Sequence, residues 1–259
     1  MSQDKQSSDN LQPSSSAWIP FSDQDWVRGG ISLKADGPMS WSGHPAETIV
    51  ANRRNYFAKM GLDGNNAVAA DQTHGTRAYI VKKADAGKGI WEPSTRLSGT
   101  DAMMTNESGM ILTTLHADCA PIYYADPDHK VIALVHAGWR GILSGIAGQI
   151  LERMTEEFGS DPGHVLAAVG PMVSASAYEA DFDLIRRFIA AYGPEVFFQK
   201  SGHSYLDLFA AIMADLVQNG FDKALRPERP PCTSLNPEYS SYRRDGSPPA
   251  SMMAWLTIE

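Results

Sequence analysis

Residues 131–158 constrain the fold more than any other stretch. Residues 131–135 read Val-Ile-Ala-Leu-Val, apolar without a break, and lead into His136-Ala137-Gly138-Trp139-Arg140-Gly141. A strand with one wet face alternates apolar and polar residues, so an unbroken run demands cover on both faces. Downstream, Leu143, Ile146, Ala147, Ile150, Leu151, Met154 and Phe158 recur with a helical period and predict a helix over 142–158, stopped by Gly159. A strand, a glycine turn and an amphipathic helix in succession imply a layered molecule.

The remaining periodicities agree. Ile49, Val50, Arg53, Tyr56, Phe57 and Met60 mark a helix ended by Gly61. Ser204 with Asp207 predicts a capping box before Leu208, Phe209, Ile212, Met213, Leu216 and Val217, with Gly220 as the stop. A further helix is expected over 182–192. Short apolar runs predict strands over 78–82, 110–116, 121–125, 131–136 and 165–170. Helices and strands mix without strict alternation. The expected class is therefore α+β: a layered sandwich of mixed β-sheets flanked by helices, in a single domain spanning 17–259. Residues 1–16 are too polar to offset their ordering entropy and are expected to form a disordered tail, with no apolar stretch of the secretory kind.

Composition excludes several function classes. A chain of 259 residues needs no disulfide or metal staple to fold. Its two cysteines, Cys119 and Cys232, exclude a disulfide framework and fit a reducing, cytoplasmic compartment. No apolar run approaches the ~20 residues of a membrane span. The net charge of −8 argues against nucleic acid as a partner. Seven histidines fall short of the imidazole set that a full multicopper oxidase core requires.

Candidate chemistry gathers at strand ends. His136 ends the most apolar strand, and the turn after it offers backbone N–H groups and Arg140, a fork suited to phosphate or carboxylate. The plainer reading is a tight turn with a surface arginine. His116-Ala117-Asp118-Cys119 ends another apolar strand; a lone cysteine is more often a small buried hydrophobe, but Asp118 and Pro121 make this backbone irregular and the thiol reachable. Gln72-Thr73-His74-Gly75 is a short polar segment before a strand. No contiguous metal motif is present, so any site is assembled from separated segments. If 110–116 and 131–135 are neighbours in one sheet, strand spacing of ~4.8 Å brings Cys119 and His136 close enough to share an ion.

These segments together resemble the YfiH-type proteins, formerly called polyphenol oxidase or laccase-domain proteins. HAGWRG at 136–141, ADCxP at 117–121, QxHG at 72–75 and DAxxT at 101–105 stand in that family's order. Arg28-Gly29-Gly30 with Ser32, Asn52-Arg53, Cys232-Thr233 and Ser241-Tyr242-Arg243-Arg244-Asp245-Gly246 resemble its flanking motifs. There are departures: His116 replaces the common Thr, and residues 172–180 lack the family's extra cysteines. The family is described as zinc-dependent purine nucleoside phosphorylases with adenosine deaminase activity. The resemblance implies zinc held by His74, Cys119 and His136, with an open position for water that attacks C6 of adenine. It makes Arg53, Arg140 and the turn at Gly138 candidates for phosphate, Asp118 for ligand orientation or proton handling, and Asn52 and Gln72 for nucleoside recognition. Three other readings compete: a metal-free cysteine hydrolase with Cys119 as nucleophile, a copper-dependent phenol oxidase, and a binding protein that keeps the pocket. Bound metal separates the first from the zinc reading, and nucleoside turnover excludes the last.

Overall fold

A computed structural model of the chain describes residues 18–247 and 250–259; the expected tail at 1–16 lies outside the described residues. A five-stranded sheet has the order β3 (Ala78–Ile80), β4 (Ala102–Thr105), β7 (Val131–Ala137), β6 (Ala120–Asp126), β8 (Leu166–Val169). A four-stranded sheet has the order β1 (Val27–Ile31), β11 (Met252–Ile258), β5 (Ile111–His116), β2 (Ala67–Ala69). The pairs β2–β5 and β3–β4 are parallel and the other pairs in the two sheets antiparallel, so both sheets are mixed.

β7 shows why the run at 131–135 has no polar break. Ile132 and Leu134 point into a core shared with Val68, Leu112, Ala254 and Leu256 of the other sheet. Val131, Ala133 and Val135 point the opposite way, against Ile146, Ile150, Leu151, Phe209 and Ile212. Those residues belong to α3 (Ile146–Phe158) and α5 (Leu208–Gln218), which cover the outer face with α4 (Phe182–Tyr192). On the far side α1 (Ala46–Met60) lays Tyr56 and Phe57 against Ala67, Ala69, Ile111, Met253 and Trp255 of the four-stranded sheet. The expected sandwich of mixed sheets between helices is thus the observed architecture. A small hairpin of β9 (Phe197–Lys200) and β10 (His203–Leu206) completes it. No described helix is long and apolar enough to cross a membrane.

Three local expectations are corrected. The helix expected over 142–158 is two helices, α2 (Trp139–Leu143) and α3, broken where Gly145 takes φ 78°. A five-residue helix has little aligned dipole to offer an anion, which weakens the case for the turn at Gly138 as a phosphate cradle by itself. Ser204 lies in β10 and takes no part in a capping box; Asp207 alone caps α5, its carboxylate accepting from the Ala210 N–H. The most consequential correction concerns Cys119. β5 and β7 are not neighbours but lie in different, facing sheets. The chain crosses between the sheets at 117–119, where Asp118 holds φ +83°, and Cys119 heads β6. The β6–β7 ladder pairs Ala120 with Ala137 and Pro121 with His136, and this pairing, not that of β5 with β7, brings thiol and imidazole together.

Candidate metal centre

His74, Cys119 and His136 converge: their ligand atoms all lie within 4.8 Å of one another. His136 is buried at the end of β7, Cys119 is half-buried, and His74 is exposed. The centre therefore has a dry side formed by the five-stranded sheet and a solvent side. Gly138 follows His136, and a Cβ there would stand 2.7 Å from the His74 ring and 3.3 Å from the Cys119 sulfur. Only glycine lets the turn pass this close behind both side chains.

The loop carrying His74 is held from both ends. Gln72 places its amide on the β5 backbone, donating to the Leu115 carbonyl at 2.8 Å and accepting from the Leu115 N–H at 2.7 Å. Asp101, at the start of β4 and with no exposed surface, accepts from the backbone N–H groups of Thr73, His74 and Gly75 and from the Thr73 hydroxyl. Its Oδ1 also lies 2.9 Å from His136 Nδ1. One carboxylate thus fixes one ligand by its ring and another by its backbone, leaving Nε2 of His136 as the free donor. A carboxylate on the far nitrogen of a ligand histidine sets both tautomer and ring orientation. His74 itself sits at φ +61°, a left-handed conformation that costs a non-glycine residue roughly 1 kcal/mol or more and persists because Asp101 over-determines the loop.

The electrostatics follow from this packing. Burial alone would raise the Asp101 carboxyl, but the His136 contact and the amides of Gly75 and Thr73 bring it down to about 2, so it stays ionised. Burial also works against the Cys119 thiolate, yet the imidazoles of His136 and His74 outweigh it and hold the thiol below its ordinary range. His136 is raised in turn, the Cys119 thiolate and Asp101 overcoming the effect of its burial. His116, fully enclosed beside His136, is pushed well below the ordinary histidine value by burial and by its neighbour's charge. It remains a neutral imidazole bonded to Thr114 Oγ1 and the Cys119 carbonyl, behind the ligands. An ionised thiolate with two imidazoles, one oriented by a carboxylate, can hold a metal ion.

The other sequence candidates divide. Arg53 is 1% exposed, and its guanidinium is committed to the carbonyls of Met39, Gly89 and Ile90, with its face on the Trp41 ring. In this structure it is a buried staple and is not presented to phosphate. Asn52 beside it donates to the Pro38 carbonyl. Gln72 supports the His74 loop, as described. Asp118 accepts from Thr233 Oγ1 at 2.5 Å and from the Arg243 N–H at 2.7 Å, tying the chain next to Cys119 to the C-terminal loops. Arg140 is exposed, rests on the Trp139 ring, and has no hydrogen-bond partner for its guanidinium among the described residues. Sequence reasoning gave Asp101 no role. The signal was present in Asp101-Ala102-xx-Thr105, but an acidic residue before a strand carries no mark of its partners.

Residues 34–259 match the family described as multi-copper polyphenol oxidoreductase laccase. The chain is 31% identical over 238 residues to the purine nucleoside phosphorylase YlmD of Bacillus subtilis, covering 89% of this chain and 86% of that one. It is 29% identical over 204 residues to the adenosine deaminase RL5 of an unknown prokaryotic organism, covering 77% of each. The crystal structure of YlmD from Geobacillus stearothermophilus superposes with a TM-score of 0.85 at 27% identity, over 91% of this chain and 93% of that one. Matched over most of its length, the chain belongs to the laccase-like family that includes the YlmD and YfiH proteins.

Proposed function

We propose that the chain is a zinc-dependent purine nucleoside phosphorylase, acting on adenosine, inosine, guanosine and methylthioadenosine with phosphate, with adenosine deamination as a second activity. The convergence of His74, Cys119 and His136 on the solvent side of a dry sheet end carries this reading. Relatives named for each of the two activities support it. The three residues would hold the ion, and zinc bound there supplies a Lewis acid and lowers the pKa of water toward ~7. The chain's own groups do the rest. Asp101 keeps His136 and the His74 loop in place. Asp118 anchors the C-terminal loops beside Cys119. Both cysteines are free, which suits a reducing cytoplasmic setting. The catalytic domain on this reading is residues 17–259.

The test is incubation of zinc-loaded full-length protein with each nucleoside, with and without phosphate, followed by assay of free base, ribose 1-phosphate and inosine. Free base that appears only with phosphate is expected, together with ribose 1-phosphate, or its 5-methylthio analogue from methylthioadenosine. Equal base release without phosphate would mean hydrolysis, and no turnover at stoichiometric zinc would end the proposal. One observation favours a second reading: the Cys119 thiol is held ionised against two imidazoles, as a cysteine nucleophile requires. Metal analysis of Cys119→Ala separates the two, since a nucleophile can be lost with metal retained. Two imidazoles and a thiolate also accept copper, so activity is compared after zinc and after copper loading.

A further inference from the structure

The motif Ser241-Tyr242-Arg243-Arg244-Asp245-Gly246 brings adjacent arginines to the rim, and the structure uses them differently. Arg244 spends its guanidinium on the carbonyls of Thr233, Asn236 and Tyr239 and on Asp245, closing its own loop. Arg243 is exposed, and its guanidinium makes a single hydrogen bond, to the Glu179 carbonyl, while its plane lies 4.7 Å from the centre of the Tyr178 ring. Most of its N–H groups are uncommitted among the described residues. Its backbone N–H is held by Asp118, the residue before Cys119. Arg140 stands two residues beyond Gly138, the glycine packed behind His74 and Cys119. It too has an uncommitted guanidinium on an aromatic ring.

Tyr178 lies beneath the Arg243 guanidinium. Burial raises its phenol to about 12; Arg243 and Arg140 pull against that, while the charges of Cys119 and Asp118 add to it. The two arginines approach the centre from two sides: Arg243 is held by Asp118 next to Cys119, and Arg140 follows Gly138, which packs against His74 and Cys119. Among the described residues neither guanidinium makes an ion pair, and that of Arg243 gives only one hydrogen bond, which leaves both forks available to a small anion.

We propose that Arg243 and Arg140 together form the phosphate subsite of the centre, with Asp118 as the residue that positions Arg243. This rests on the phosphorolysis reading above. In that reaction a hydrogen phosphate oxygen bonds to C1′ of the nucleoside as the C1′–N9 bond breaks. The electron pair of that bond leaves on the purine, which takes up the proton the phosphate carried, giving free base and ribose 1-phosphate. Two forks that grip the non-attacking oxygens hold the nucleophile in place and lower its binding cost. The subsite replaces Arg53, which the fold commits elsewhere.

The experiment uses zinc-loaded full-length protein and inorganic phosphate. Wild type, Arg243→Ala, Arg243→Lys, Arg140→Ala, Asp118→Ala and Asp118→Asn are compared for zinc content, for phosphate binding by calorimetry, and for KM of phosphate and of inosine. Charge-assisted hydrogen bonds of this kind predict a rise of roughly 10- to 100-fold in the phosphate Kd and KM of Arg243→Ala and Arg140→Ala. Zinc content should hold, and the KM of inosine should move far less. Arg243→Lys should recover part of the loss. Asp118→Asn, which keeps an acceptor for the Arg243 N–H, should lie between wild type and Asp118→Ala. Unchanged phosphate Kd and KM in both arginine variants would overturn the subsite. Phosphate bound by wild type and lost in the variants, with no ribose 1-phosphate formed by any, would uphold the anion site and sink the phosphorolysis reading instead.

Discussion

Arg53 and Asp101 are both buried charges, 1% and 0% exposed, and both are surrounded mainly by backbone. Arg53 donates to the carbonyls of Met39, Gly89 and Ile90 in the layer between α1 and the four-stranded sheet. Asp101 accepts from the amides of Thr73, His74 and Gly75 beside the five-stranded sheet. The difference lies in one further partner, the His136 ring. Through it, and through the His74 amide, the Asp101 charge reaches two side chains with a free functional atom, whereas every partner of Arg53 is a carbonyl or an aromatic ring. Burial of a charge alone therefore says nothing about chemistry. The partners' remaining valences do.

The comparison breaks if the ligands do not act as one set. Cys119→Ala and His136→Ala should each take bound zinc from stoichiometric to background by metal analysis, with far-ultraviolet circular dichroism unchanged, because the chain has cores enough to fold without an ion. Retained zinc in either variant would detach Asp101 from any metal role. Next in size is Arg53→Met. Removing the cation orphans three buried carbonyls, so denaturant unfolding should show a loss of roughly 3–5 kcal/mol. Zinc per folded molecule and the KM of phosphate should be unchanged. A small loss of stability with a raised phosphate KM would return Arg53 to the anion site.

Arg53 and Asp101 also mark the limits of what the residues disclosed. The layered sandwich was legible because 131–135 has no polar break and the stripes of α1, α3, α4 and α5 have helical period. His74, Cys119 and His136 were found through the resemblance, yet the geometry first assumed for them was wrong. The crossing at 117–119 depends on Asp118 at φ +83°, which aspartate tolerates better than most residues but which nothing in the segment's sequence required. Strands β1, β2, β4 and β11 escaped notice: β2 is three residues long, β1 holds adjacent glycines, and each is defined by partners far away in sequence. Arg53 looked chemical because it is an arginine in a recognisable pair, and Asp101 looked ordinary because its donors are main-chain groups with no sequence signature.

Asp101→Asn tests the other half of the comparison. An amide turned toward this nest presents N–H to N–H on one side, so His136 and the His74 loop lose their fixed orientation. Second-sphere changes of this type weaken metal binding by about 10- to 100-fold, which competition with a chromogenic chelator measures. Unaltered zinc affinity would reduce Asp101 to the kind of staple that Arg53 is.

The smallest effect comes from a third buried charge, Asp215 on α5, which accepts from the Gly148 N–H and from Asn219 Nδ2. Here burial outweighs the backbone donors of Gly148 and Ala147, and the carboxyl is raised, the reverse of Asp101. The two carboxylates must therefore bend the stability curve in opposite senses. Asp101, held at about 2, contributes stability that is present above the unfolded value of ~3.9 and is lost as pH falls through about 2. For Asp215 the native state binds the proton more tightly than the unfolded chain, so stability declines as pH rises from ~4 through the raised native value and is flat beyond it. Asp215→Asn cannot ionise and lacks that decline. Urea unfolding of wild type and Asp215→Asn at a series of pH values from ~4 to 7 isolates the term, because metal release is common to both chains and cancels in their difference. The stability of wild type relative to the variant should fall as pH rises. A difference that grows with pH would mean that the donors around Asp215 hold its charge as firmly as the His74 loop holds that of Asp101.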